Sequence, residues 1–201
     1  MKNDLHLVLH GLAIKKHATA EAVAGIIGLD PVRVAALLQG ALGKGSVLEA
    51  KGKFSLQPMA RIALEGDYSR YCSELRENPA FVRLYDDFEV VNGALKALIT
   101  DWQVVEIAGA RIPNDHSNQE YDNRIIDRLG DLHERAERVL TQFSQELPRL
   151  AIYRDKLLAA LEKAEDGELE WVSDARLESY HTLWFELHED LLRMLGRTRV
   201  E

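Results

Sequence analysis

The residues best equipped for chemistry fall in two stretches, Arg111-Ile112-Pro113-Asn114-Asp115-His116 and the run from Ser179 to Glu189. On a helix His181, Trp184 and His188 of the second stretch share a face, because positions i, i+3 and i+7 nearly coincide. Glu178 and His181 form a Glu-x-x-His, which a di-iron carboxylate site in a helical bundle needs twice, with two further glutamates. The motif occurs once, and His133 with Asp131 and Glu134 does not have its spacing. No metal is therefore expected. The plainer account is that these histidines satisfy hydrogen bonds in or beside a core.

The same groups also suit a small-molecule pocket among helices, in which Asn92, Trp102, Tyr121, His181 and Trp184 bring a few polar atoms to an aromatic wall. An effector bound there would shift the balance between two arrangements of the protein. The acid pairs Asp86-Asp87 and Glu189-Asp190 read as solvated helix faces. Cys72, the single cysteine, lies in a helical-looking stretch without a base beside it. There is no glycine-rich phosphate loop, Gly-x-Ser-x-Gly elbow or paired-cysteine zinc signature. The expectation is a protein that is not an enzyme and carries no cofactor.

A chain of 201 residues, 46% apolar and 29% charged, is that of an ordinary globular protein with a real core. The run from Leu5 to Ile14, interrupted by His6 and His10, is too short and too polar for a signal peptide or membrane span. With a single cysteine, this points to a reducing cytoplasm and no membrane partner. The net charge of -8 is unevenly spread. Residues 1–57 hold seven bases (Lys2, Lys15, Lys16, Arg33, Lys44, Lys51, Lys53) against four acids (Asp4, Glu21, Asp30, Glu49), an excess of +3 that leaves -11 for the rest.

The elements that would position these groups begin with an amphipathic helix, carrying Leu5, Val8, Leu9 and Leu12, that ends near His17. Thr19 caps a second helix with Val23, Ile26 and Ile27 on one side, closed by Gly28. Asp30 and Pro31 start a third, striped by Val34, Leu37, Leu38, Ala41 and Leu42 and stopped by Gly43 to Gly45. Two β-type segments, Val47 to Ala50 and Phe54 to Leu56, are joined by Lys51-Gly52-Lys53. Pro58 opens a further helix through Met59, Ile62 and Ala63. Helix, helix, turn, helix, hairpin, helix is the order of a winged helix-turn-helix over residues 1–65.

Residues 66–201 read as helical: 80–104, 119–147, 149–165 and 174–196, with a loop around Gly109 to Asn118. Phe81, Tyr85, Phe88, Leu95, Ile99 and Trp102 stripe the first, with Asn92 among them. Ile125, Leu129, Leu132, Ala136, Val139 and Phe143 stripe the second at heptad spacing, which suits helix-helix packing or a dimer seam. The fold class is mainly α, a winged helix-turn-helix with a short β-hairpin followed by an all-helical dimerisation or effector domain.

Through Thr19-Ala20-Glu21, Gly28-Leu29-Asp30, Leu37-Leu38 and Gly45-Ser46-Val47-Leu48-Glu49, residues 5–65 resemble the winged-helix bacterial regulators of the MarR and PadR type. The resemblance implies a dimer on double-stranded DNA, with the third helix in the major groove and the wing on the flanking backbone. Carried over, the groove-facing positions are Pro31, Arg33, Ala35, Ala36, Gln39 and Gly40, and phosphate contacts come from Lys44, Lys51 and Lys53. Only Arg33 and Gln39 of these make bidentate base contacts, a departure from the usual pattern. Ala35, Ala36 and Gly40 equally suit a protein-docking face.

A fainter resemblance lies in Leu9-His10-Gly11-Leu12-Ala13-Ile14-Lys15-Lys16 and Leu187-His188-Glu189-Asp190-Leu191-Leu192. These segments look similar to a winged and helical region appended to some phosphoenolpyruvate-utilising, pyruvate phosphate dikinase-like proteins. The phosphohistidine domain of those proteins has no counterpart here. The alternative this implies is a docking or regulatory module associated with a phosphotransfer enzyme.

Overall fold

A computed structural model describes residues 3–107 and 109–199, apart from the side chain of Ile107; Lys2, counted above among the bases, lies outside them. The chain divides into two compact units, residues 1–82 with 186–201, and residues 83–185.

The first unit opens with α1 (Asp4–Lys15), α2 (Ala20–Ile27) and α3 (Pro31–Gly43). Each has a side-chain cap where one was needed: Asn3 accepts from the amides of Leu5 and His6, Thr19 from Ala22 and Asp30 from Arg33. α1 is buried on nearly every side, from His6 to Val8 and from His10 to Ile14, whereas Leu5 and Leu9 are half-buried. It approaches α2 closely at Gly11, where a Cβ would stand 2.6 Å from Ile27 Cγ2 and 3.0 Å from Val23 Cγ1.

Strands β1 (Val47–Ala50) and β2 (Lys53–Leu56) pair antiparallel, Val47 opposite Leu56 and Ala50 opposite Lys53. Ala18, between α1 and α2, adds a bridge to Phe54 through hydrogen bonds of 3.1 and 2.8 Å. The arrangement is compatible with a winged helix-like fold.

Helix α4 (Pro58–Tyr71) follows, so a boundary at 65/66 falls inside it. Its buried residues are Leu64 and Tyr68, with Ala60 half-buried, while Met59, Ile62 and Ala63 face solvent. The i, i+4, i+8 row from Ala60 is a narrow seam, and the apolar residues at the helix start fall beside it. After α5 (Ser73–Glu77) the long α6 (Pro79–Gln103) runs across the division into the second unit. Between α4 and α5, Cys72 is fully buried.

The second unit continues with β3 (Val104–Ile107), β4 (Ala110–Pro113), α7 (Gln119–Glu146), a 3-10 turn (Pro148–Leu150), α8 (Ala151–Glu165), α9 (Glu170–Ser173) and the start of α10 (Tyr180–Leu195). The stretch expected as a loop around Gly109 thus contains half of an antiparallel hairpin, with Val104 opposite Pro113 and Ile107 opposite Ala110. Gly109 takes φ of +81° at its tip. All four β4 residues are exposed, so no inward alternation marked the strand.

The last helix starts at Tyr180 rather than near 174. Asp174 instead accepts from the amide and guanidinium of Arg176, and Ser179 Oγ accepts from the Thr182 amide as a cap. In the core of this unit Ile125, Leu129, Leu132, Ala136 and Phe143 of α7 are buried as expected and Val139 is half-buried.

The second half of α10 belongs to the first unit, where Leu187, Leu191, Leu192 and Met194 are buried. Its end is a Schellman turn, with Arg197 N bonded to Leu192 O and Gly196 N to Arg193 O. The Arg76 guanidinium adds to this end, Nε donating to Met194 O at 2.7 Å and Nη2 to Arg193 O, already an acceptor in the turn, at 3.3 Å. Among the described residues no helix is long and apolar enough to cross a membrane.

Candidate functional site

Val34, Leu38 and Ala41 turn α3 inward and so aim its opposite face at solvent. Pro31, Val32, Arg33, Ala36, Gln39 and Gly40 are exposed there, and Ala35 is half-buried. The Arg33 guanidinium, 64% exposed, pairs with the Asp4 carboxylate. Such an exposed pair contributes only about 0.2–1 kcal/mol, so a competing base edge or phosphate can draw Arg33 away at little cost.

Lys44, Lys51 and Lys53 are exposed at the end of α3 and on the wing. Lys51 and Gly52 both have positive φ, +53° and +75°, as a two-residue turn between twisted strands requires. The Gly52 amide donates to Glu49 Oε1 at 3.2 Å, which pins the acid against the turn. The five residues expected to touch nucleic acid therefore share one property, access to solvent. The surface can present cations to phosphates and one guanidinium and one amide to base edges.

The five residues expected to line a pocket are divided. Trp184 Nε1 donates to Asn92 Oδ1 at 3.0 Å, Asn92 Nδ2 donates to Glu89 Oε2 at 3.1 Å, and Tyr85 OH donates to Glu89 Oε1 at 2.5 Å. Phe88 stacks on Trp184 with ring centres 4.8 Å apart. Asn92 and Trp184 thus satisfy each other. Trp102 lies ten residues further along α6, about 15 Å at the helical rise. Tyr121 is close to it, its hydroxyl donating to Asp101 O at 2.7 Å. His181 is half-buried.

Beside Trp102 stands a group that spacing alone did not assemble. Asp122, buried in the first turn of α7, accepts from Asn114 Nδ2 at 2.9 Å and lies 3.1 Å from His116 Nδ1. Asn114 also donates to Trp102 O, and the His116 ring lies 4.5 Å from that of Trp102. The carboxylate orients both side chains and ties the segment after β4 to α7. Among the described residues no group of three His, Cys, Asp or Glu is placed to hold a metal ion.

The first unit has a buried polar centre of its own. His10 Nδ1 lies 2.7 Å from Tyr68 OH and Nε2 lies 2.8 Å from Asp190 Oδ1, with both His10 and Asp190 wholly buried. Asp190 is therefore no solvated acid, unlike the exposed Asp86 and Asp87. The signal was present in the helical row: Leu183, Leu187, Asp190, Leu191 and Met194 are i, i+4, i+7, i+8 and i+11.

His6, one turn earlier on α1, is buried with its ring against Tyr68 and Tyr71, and neither ring nitrogen finds a hydrogen-bond partner among the described residues. Burial, reinforced by nearby His10, pushes its pKa down to about 4. Burial likewise lowers His133, whose Nδ1 is 3.1 Å from Tyr180 OH, and raises the hydroxyls of Tyr68 and Tyr180.

No protein-family model matches the chain, and neither does a curated protein or a solved structure.

Proposed function

We propose that the chain is a DNA-binding transcriptional regulator of the MarR and PadR type rather than a catalyst, acting as a homodimer in the cytoplasm. The observation that supports this reading is the exposure of Arg33, Gln39, Lys44, Lys51 and Lys53 along α3 and the wing. Lysines at the end of α3 and on the wing contact phosphates, and Arg33 with Gln39 reads bases. Dimerisation through the helical region pairs two such surfaces on a two-fold operator. A small-molecule effector bound among those helices adjusts their use.

The test is duplex binding by the full chain between about 50 and 200 mM salt, because each phosphate contact contributes roughly -0.9 to the log-log slope. K44Q/K51Q/K53Q is expected to make the slope shallower by about three. Arg33→Ala is expected to cost about 1–3 kcal/mol of discrimination at one base pair. Absence of binding at low salt overturns the reading.

The second reading is a docking or regulatory module for a phosphoenolpyruvate-utilising phosphotransfer enzyme. It is favoured by apolar side chains left in solvent, Val32 at 77% exposure on α3 and Met59 and Ile62 at 74% and 65% on α4. A chain that ignores DNA but loses association with such an enzyme on Val32→Lys would support it.

A further inference from the structure

A cavity of about 130 Å³ lies beside the start of α1, lined by that helix, by α4 and by the residue that precedes β1. Leu5, Leu9 and Leu64 give it an apolar wall, and His6, Ser46 and Asp67 bring polar groups to the same space. All six belong to the first unit. Asp67 stands near enough to act on the His6 ring electrostatically.

These three polar groups are uncommitted. His6 is 3% exposed, and neither of its ring nitrogens has a hydrogen-bond partner among the described residues. Ser46 Oγ and the Asp67 carboxylate likewise take part in no hydrogen bond or ion pair among them. Asn3, also on the lining, is already engaged: Oδ1 accepts from the Leu5 and His6 amides and Nδ2 donates to Tyr71 OH at 3.0 Å. Among the described residues that line the cavity Asp67 alone is charged at neutral pH, because burial keeps the His6 imidazole neutral.

A neutral imidazole offers one lone pair, and a hydroxyl and a carboxylate each accept as well. A primary ammonium has three N–H donors and one positive charge, so it matches three acceptors of which one is an anion. A transition-metal ion is the poorer match, since no group of three His, Cys, Asp or Glu is placed to hold one among the described residues. The volume is close to the roughly 150 Å³ of an engineered apolar cavity that takes up one benzene, which leaves room for a chain of about four carbons against the leucines. We infer that the cavity binds a small primary alkylamine in its ammonium form, held by Asp67, Ser46 Oγ and a ring nitrogen of His6, with its chain on Leu5, Leu9 and Leu64. The site shares no residue with α3 or the wing, so it stands or falls apart from DNA binding.

The test is a titration of the full chain, at neutral pH and constant ionic strength, with n-butylammonium, tetramethylammonium and Nα-acetyl-lysinamide. n-Butylammonium is expected to bind saturably. Tetramethylammonium keeps the charge but has no N–H, and is expected to bind at least about tenfold more weakly. Asp67 is exposed, so Asp67→Asn is expected to keep its far-UV circular dichroism while losing at least about tenfold in affinity for n-butylammonium. His6→Phe is expected to weaken binding too, and Asp67→Asn decides the matter should that variant fail to fold. K44Q/K51Q/K53Q is expected to bind n-butylammonium as the parent does. No saturable binding, equal binding of tetramethylammonium, or undiminished binding by Asp67→Asn overturns the inference. Tighter binding of Nα-acetyl-lysinamide than of n-butylammonium overturns it as well, by assigning the cavity to a lysine side chain of a partner.

Discussion

His10 Nε2 and Asp190 Oδ1 meet 2.8 Å apart in the interior of one unit, although 180 residues of sequence separate them. Removing one partner of a buried hydrogen-bonded pair leaves the other's polar atom desolvated and unsatisfied, at about 1–3 kcal/mol. Asp190→Ala is expected to lose that much in urea unfolding. Asp190→Asn keeps an oxygen acceptor for the imidazole and is expected to lose less. Equal losses would show that the hydrogen bond to His10 contributes nothing specific.

His6 gives the unit an acid sensitivity with a definite sign. Its pKa falls from 6.5 in the unfolded chain to about 4 in the folded one, so the unfolded state takes up the proton first. The corresponding stability is complete above 6.5, is lost as pH falls toward 4, and changes no further below it. The loss is on the order of 2–3 kcal/mol. His6→Phe, which keeps a ring against Tyr68 and Tyr71, is expected to flatten this part of the pH profile. A profile unchanged by the substitution would assign the sensitivity to other groups.

Gly11→Ala tests the approach of α1 to α2. The added methyl would meet Ile27 Cγ2 at 2.6 Å, and Ile27 and Val23 are both buried and stiff at χ1. The expected cost is about 1–3 kcal/mol of overpacking, against the modest gain that alanine ordinarily brings to a helix interior. Chemical denaturation decides the sign, and a more stable variant would mean the helices separate without penalty.

Trp184→Phe removes the donor to Asn92 Oδ1 while keeping a ring against Phe88. An acceptor stranded in the core costs about 1–3 kcal/mol, whereas Asn92→Leu combined with Trp184→Phe removes both partners and is expected to recover part of that. A double-mutant cycle in guanidinium reads the coupling directly. Strict additivity would argue that the contact carries no energy of its own.

The helices were legible because their caps and stripes repeat locally: Thr19, Asp30, Pro31 and Gly28 each occupy the position their chemistry suits. The second hairpin was not, because Ala110 to Pro113 are exposed and show no buried alternation. Val104, Val105, Ile107 and Gly109 were the signal available for it. For the candidate interface, the sequence supplied the exposed residues of α3 and the wing but not the Asp4 partner of Arg33. The expected pocket residues are divided because hydrophobic spacing assigns a face, not a height along it, and Asn92 and Trp102 share a stripe at different heights. Asp190 was misread for its charge alone, since the leucines around it marked an inward position.

The contact between His10 and Asp190 also sets an order of events during synthesis. At about 5–20 residues per second, roughly 10–35 s pass between the appearance of the imidazole and that of its carboxylate. Through that interval α1, buried on nearly every side in the finished unit, has no α10 to lie against. Residues 83–185 emerge meanwhile and can form their own core. The unit that holds α1 is thus closed only after residues 83–185 have been made, and until residue 190 arrives the apolar helix lacks a neighbour it has in the finished fold.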